Sequence, residues 1–121
     1  MNLFHKYGGS EFWSDFLNVF YSRLTASDML SHHFIDKDVE HIKTMLIGLL
    51  QVTLVSQGEY PKKDMYEVHK NMGIKSEELD EWISIYSTTI QELGISDLDR
   101  QTLISLIEEY RPSIVSQEIS N

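Results

Sequence analysis

The sequence predicts an all-α fold of five or so helices joined by short connections. Through most of the chain, apolar residues recur at three- and four-residue steps, the spacing of amphipathic helices. Residues that start and stop helices flank those stretches in the right order. The one β-branched run, Val52-Thr53-Leu54-Val55, continues a helical phase and therefore also reads as helix. Connections this short predict antiparallel neighbours.

Tyr7-Gly8-Gly9-Ser10 predicts a turn with Ser10 as N-cap, because paired glycines free the backbone to change direction. From Ser10 to about Leu24, Phe12, Trp13, Phe16, Leu17, Phe20, Tyr21 and Leu24 share one face. Aromatic rings bury much area each, so this face is expected to form a major wall of the core. Ser27-Asp28 can cap a short turn through Met29 and Leu30 into His32-His33-Phe34. Asp36 or Asp38 then caps a helix carrying Val39, Ile42, Met45, Leu46, Leu49, Leu50 and Thr53, which ends near Ser56-Gln57-Gly58.

The next helix is expected between Pro61, suited to a first helical position, and Gly73, suited to a left-handed cap. Met65, Val68, His69 and Met72 fall at i, i+3, i+4 and i+7, so one face turns a histidine inward among apolar neighbours. Ser76 is the expected N-cap of the following helix, with Leu79 third and so no capping box. Glu77 and Glu78 favour its positive end. Leu79, Trp82 or Ile83, Tyr86, Ile90 and Leu93 face inward until Gly94. Ser96 and Asp99 have capping-box spacing for a last helix, with Leu98, Leu103, Ile104, Ile107 and Tyr110 inward until Pro112.

The 121 residues suit a single domain over 1–121, with about 116–121 as a flexible tail. A 41% apolar and 24% charged composition is that of a globule rather than a disordered chain. The net charge of −9 argues against nucleic acid and anionic lipid, both of which need basic surface. The absence of cysteine excludes disulfides, thiolate metal sites and thiol nucleophiles. The first residues lack the basic-then-apolar order of a signal peptide, and no apolar run approaches the roughly 20 residues of a membrane helix. A cytoplasmic protein is expected.

Few residues remain for chemistry. A glycine-flanked serine elbow, a glycine-rich phosphate loop and a His-Glu-x-x-His pair are all missing. The carboxylates Glu77, Glu78, Asp80 and Glu81 read as a solvated face. A lone histidine on an apolar helical face, such as His69, is more often a packed core residue than a ligand. Its alternative is an axial ligand to heme, a mostly apolar group that needs one nitrogen.

Four fragments favour that alternative. Tyr7-Gly8-Gly9, Phe20-Tyr21-Ser22-Arg23-Leu24, His33-Phe34 and Met65-Tyr66-Glu67-Val68-His69 follow one another at distances that resemble a truncated hemoglobin, closest to the glycine-pair group I type. The resemblance covers roughly residues 3–111. It implies a two-over-two helical sandwich, a shortened globin fold, that holds heme b and its iron. Residue by residue, it makes His69 the iron ligand, Tyr21 the distal hydroxyl that stabilises bound O₂, and Phe34 the ring packed on the porphyrin. Ile42, Met45 and Leu46 would line the distal side, and Val68 and Met72 the proximal side. Lys62 and Lys63 would reach the heme propionates, although ordinary solvated lysines read equally well.

The sequence also departs from the glycine-pair pattern. Many such members carry a polar group, often glutamine, among the positions where Ile42, Met45 and Leu46 stand. Val55-Ser56-Gln57 replaces the glycine pair that usually precedes the histidine helix. Trp82 matches a tryptophan of other subgroups, whose indole N–H points at the ligand, and it equally suits core packing.

The resemblance implies reversible binding of O₂, CO and NO by a monomer, with oxygen transport as one use. An NO dioxygenase, served by a reductase and with peroxidase-like side activity, is a second reading. A six-coordinate redox or sensor globin is a third, with Met45 or His41 ligating the iron after a helix shift. A helical module without heme is the fourth.

Overall fold

The computed structural model describes residues 2–55 and 60–115. Among them are seven α-helices and no strand: α1 (Leu3–Lys6), α2 (Gly9–Ala26), α3 (Val39–Leu54), α4 (Lys62–His69), α5 (Ser76–Glu92), α6 (Asp97–Glu108) and α7 (Arg111–Ile114). A 3₁₀ turn, Ser31–Phe34, lies between α2 and α3. Two of the seven are four-residue helices, so five of eight residues or more remain, as the periodicity predicts.

The long helices form two layers. α2 packs on α3, α5 packs on α6, and the layers meet where α2 crosses α5. This is the two-over-two sandwich, with α1 laid against α2 and α3. Its centre is the aromatic face of α2, where Trp13, Phe16 and Phe20 are fully buried and Leu17, Tyr21 and Leu24 nearly so. Phe16 and Phe20 stack with centroids 5.2 Å apart, and both rings meet Tyr86 of α5 at 5.6 Å. Trp13 satisfies its indole N–H by donating to the Phe4 carbonyl at 3.0 Å, which ties α1 to α2. A buried indole without that acceptor would carry an unmet donor.

The glycine turn forms as expected, with φ of +131° at Gly8 and +68° at Gly9. Ser10, however, lies within the first turn, and Gly8 holds the N-cap position without a side-chain cap. A Cβ on Gly8 would sit 2.8 Å from the Phe12 Cβ, in a region L-residues rarely enter. Gly8→Ala is therefore expected to cost about 1–3 kcal/mol, read by urea unfolding. A midpoint equal to that of the parent would refute the strain. The same turn is anchored from outside: Asp99 on α6 accepts from the Lys6 ammonium at 2.7 Å and from the Tyr7 hydroxyl.

Asp38 caps α3, accepting from the His41 N–H at 3.1 Å, so Asp36 is the one not used. Val52, Thr53 and Leu54 are helical, as their phase requires. The predicted α3 end at residues 56–58 lies outside the described residues, as does the tail after Val115.

Other expectations change. α4 ends at His69 rather than at Gly73, and Pro61 precedes its first residue. Gly73 does adopt φ +65°, but one turn beyond the helix, so Met72 leaves the helical face. Val68 is 56% exposed, and the inward stripe of α4 therefore reduces to Met65 and His69. At α5, Ser76 is the first helical residue and the third is Glu78. Glu78 accepts from the Lys75 N–H at 2.9 Å, one half of the capping arrangement the sequence reading denied; lysine has no acceptor for the other half. Ser96 caps α6 by accepting from the Asp99 N–H at 3.3 Å, but the Asp99 carboxylate turns to Lys6. Leu98, in the first turn of α6, is 72% exposed, whereas Leu103, further along the same helix, is buried.

Two contacts position α4. The Tyr110 hydroxyl donates to the Tyr60 carbonyl at 2.7 Å, just before the helix, and α4 itself packs on α7. Arg111 on α7 binds Asp80 at 2.6 Å and the Ser76 hydroxyl at 2.9 Å, which fixes α7 against α5. The histidine helix is thus held from its rear, by the C-terminal end of the chain.

Candidate functional site

His69 is the last residue of α4 and is partly buried. Its Nδ1 lies 2.8 Å from the Met65 carbonyl, one helical turn back. A carbonyl only accepts, so Nδ1 carries the proton and Nε2 is left with its lone pair. Burial pushes the imidazole pKa down, against the opposing pull of the Met65 carbonyl. A neutral ring with one oriented, unprotonated nitrogen is the form a metal requires.

Opposite chemistry gathers at the end of α2. Tyr21 is 6% exposed, and burial alone pushes its phenol pKa well above the usual value. Its hydroxyl is consequently a proton donor at any physiological pH. Among the described residues that hydroxyl makes no hydrogen bond to the protein, yet no buried side-chain polar atom is left orphaned, so it opens onto accessible space. The ring is fixed edge-to-face against Phe20 and Phe34, each with centroids 5.6 Å away.

Phe34, at the end of the 3₁₀ turn, is half-buried and packs on the core. Ile42 and Leu46 of α3 do the same, whereas Met45 is 51% exposed. Trp82 of α5 meets Phe20 edge-on at 4.9 Å and stacks on Tyr86 at 5.3 Å. Tyr21 and Trp82 thus meet Phe20, Phe34 meets Tyr21, and Ile42 and Leu46 pack on the same core cluster. Val68 and Met72 are not part of that cluster, and the principal partner of α4 is α7. Lys62 and Lys63 are exposed in the first turn of α4. Two open surface clefts, of about 300 and 240 Å³, are lined by other residues, such as Arg23 and Glu92 or Asn18 and Lys43.

Tyr86, expected to face inward, is buried among Phe16, Phe20 and Trp82. The sequence reading passed over one feature. Glu78, assigned to a solvated face, is instead buried against two histidines, and the adjacent pair His32-His33 was the clue.

The chain matches the family described as bacterial-like globin over residues 2–116. A group 1 truncated hemoglobin of Tetrahymena thermophila is 30% identical over 95 residues, 78% of each chain. A second, from Tetrahymena pyriformis, is 25% identical over 115 residues, 95% of each chain. The crystal structure of the T. pyriformis truncated hemoglobin in its Fe(III) form superposes with a TM-score of 0.83 at 25% identity, covering 95% of this chain and 98% of that one.

Proposed function

Because the chain belongs to the bacterial-like, truncated globin family, we propose that it holds heme b through His69 and binds diatomic gas reversibly, O₂ foremost, with CO and NO as further ligands. The observation that carries this reading is the His69–Met65 hydrogen bond, which leaves Nε2 aimed away from its own helix as a neutral donor. Heme, when bound, supplies an iron atom with one coordination position for His69 and one for the gas.

The residues present fit that group. Apolar side chains of Met45 on α3 and Val68 on α4 stand uncovered, and a porphyrin is an apolar plate that suits such side chains. Met72 follows α4 and lies beside the same edge in sequence. Phe34, Ile42 and Leu46 present a dry wall that keeps water from the gas site and so slows oxidation of the iron. Trp82 backs that wall through Phe20, a packing role sufficient for its indole. Lys62 and Lys63 supply positive charge for the propionates at the solvent edge.

Tyr21 is the distal donor. Its phenol stays protonated, its ring is clamped between Phe20 and Phe34, and its hydroxyl is unspent on the protein. Hydrogen bonding to a ligand that gathers negative charge is strong where water cannot compete. With Ile42, Met45 and Leu46 apolar, Tyr21 carries this task without a donor from those three positions.

Titration of the heme-free protein with hemin tests the proposal. One equivalent is expected to saturate a sharp Soret band. Protein that leaves hemin in its free, aggregated spectrum would refute heme binding altogether.

A further inference from the structure

Beside Phe34, three side chains that the heme reading does not use converge where the 3₁₀ turn meets the start of α5. Glu78 is only 7% exposed. Its Oε1 lies 3.0 Å from His33 Nε2 and also accepts the Lys75 N–H at 2.9 Å. Its Oε2 lies 3.4 Å from Nε2 of the exposed His32. The two imidazoles lie with centroids 4.0 Å apart at a 38° tilt, and both present Nε2 to one carboxylate. All three candidate ligand atoms lie within 4.8 Å of one another.

We propose that His32, His33 and Glu78 form a binding site for a divalent cation of zinc type. The donor set is two imidazoles and one carboxylate, which suits borderline cations better than calcium or magnesium. The spacing suits them as well. Metal–ligand bonds of about 2.0–2.2 Å at tetrahedral angles put ligand atoms roughly 3.3–3.5 Å apart. The separation of 3.4 Å between His32 Nε2 and Glu78 Oε2 already has that value, and a small movement of His33 would bring its Nε2 to the same ion. A water molecule completes the fourth position.

The site is also supported from behind. The Lys75 N–H holds Oε1 and leaves Oε2 for the ion, the kind of second interaction that orients metal-binding carboxylates. Burial pushes the Glu78 carboxyl up, but the Lys75 N–H and the two histidines outweigh it and hold the group below its ordinary range, hence ionised. Each imidazole must offer a lone pair at Nε2 to the ion. The bound ion would tie the turn carrying Phe34 to the first turn of α5, a link now made by the His33–Glu78 contact.

Zinc affinity of the full chain, measured by competition with a chromophoric chelator, tests the site. The wild type is expected to take up one zinc ion. His32→Ala, an exposed position, and Glu78→Gln, which retains the acceptor for Lys75, should each weaken binding by at least about tenfold, the lower end of what even second-sphere changes cost. His5→Ala, remote in sequence and exposed, should bind as the wild type does. Zinc should also raise the unfolding midpoint of the wild type and leave that of His32→Ala unchanged. Absence of zinc uptake, or equal affinity in all four proteins, would overturn the proposal. Because His69 is untouched, the hemin titration reports separately on the heme reading.

Discussion

His69→Ala is expected to lose tight hemin binding while keeping the fold. The imidazole is the chain's one oriented, neutral nitrogen donor on α4, and nothing else on that helix can replace it. Substituting second-sphere residues costs metal affinity about 10–100-fold, so removal of the ligand itself should exceed roughly 100-fold. Alanine is the better helix former, and α4 is anchored by α7 and by Tyr110 rather than by His69. Far-ultraviolet dichroism of the heme-free variant should therefore match the parent. Added imidazole should restore part of the spectrum by entering the vacated space. Wild-type hemin affinity in the variant would remove His69 as ligand.

Tyr21→Phe should release O₂ much faster with little change in hemin affinity. A hydrogen bond to a charged acceptor contributes about 1.5–3 kcal/mol, which corresponds to roughly 10- to 150-fold in dissociation rate. The phenylalanine ring keeps the edge-to-face contacts with Phe20 and Phe34, so the wall survives the loss of one oxygen atom. CO gathers less charge, and its release should change less. Stopped-flow displacement of O₂ by CO reads the difference directly. An unchanged O₂ rate would show that the hydroxyl does not reach the gas, and Trp82 would become the next residue to replace.

Much of this architecture is visible in the sequence because periodicity reports burial. The α2 stripe from Phe12 to Leu24 reads correctly: Trp13, Phe16, Leu17, Phe20, Tyr21 and Leu24 are buried in one cluster, and Phe12 packs against it. α4 is harder. Its eight residues make barely two turns, so the stripe Met65–Val68–His69–Met72 extends the pattern past the true end of the helix. Val68 and Met45 are apolar yet exposed, a combination that periodicity cannot separate from core packing. Leu98 fails for a related reason: one apolar residue in a first turn fits the phase without having a neighbour.

Long-range pairings are the least legible. Glu78 has the sequence of a dipole-favouring surface residue, and only the fold brings it to His32 and His33, 45 positions away in the case of His33. Asp99 likewise has cap spacing, but its carboxylate is captured by Lys6. Tyr21 is an ordinary core aromatic by pattern. Its unshared hydroxyl becomes evident only once burial and hydrogen bonds are known, and the family resemblance is what singles it out beforehand.

The absorption spectrum of the hemin-loaded, reduced protein before and after addition of CO is the decisive measurement. Iron held by His69 with its gas position open gives a five-coordinate ferrous spectrum that turns sharply six-coordinate with CO. A ferrous spectrum that is already six-coordinate and does not respond to CO would contradict an open gas site, and the absence of a heme band would contradict heme binding itself.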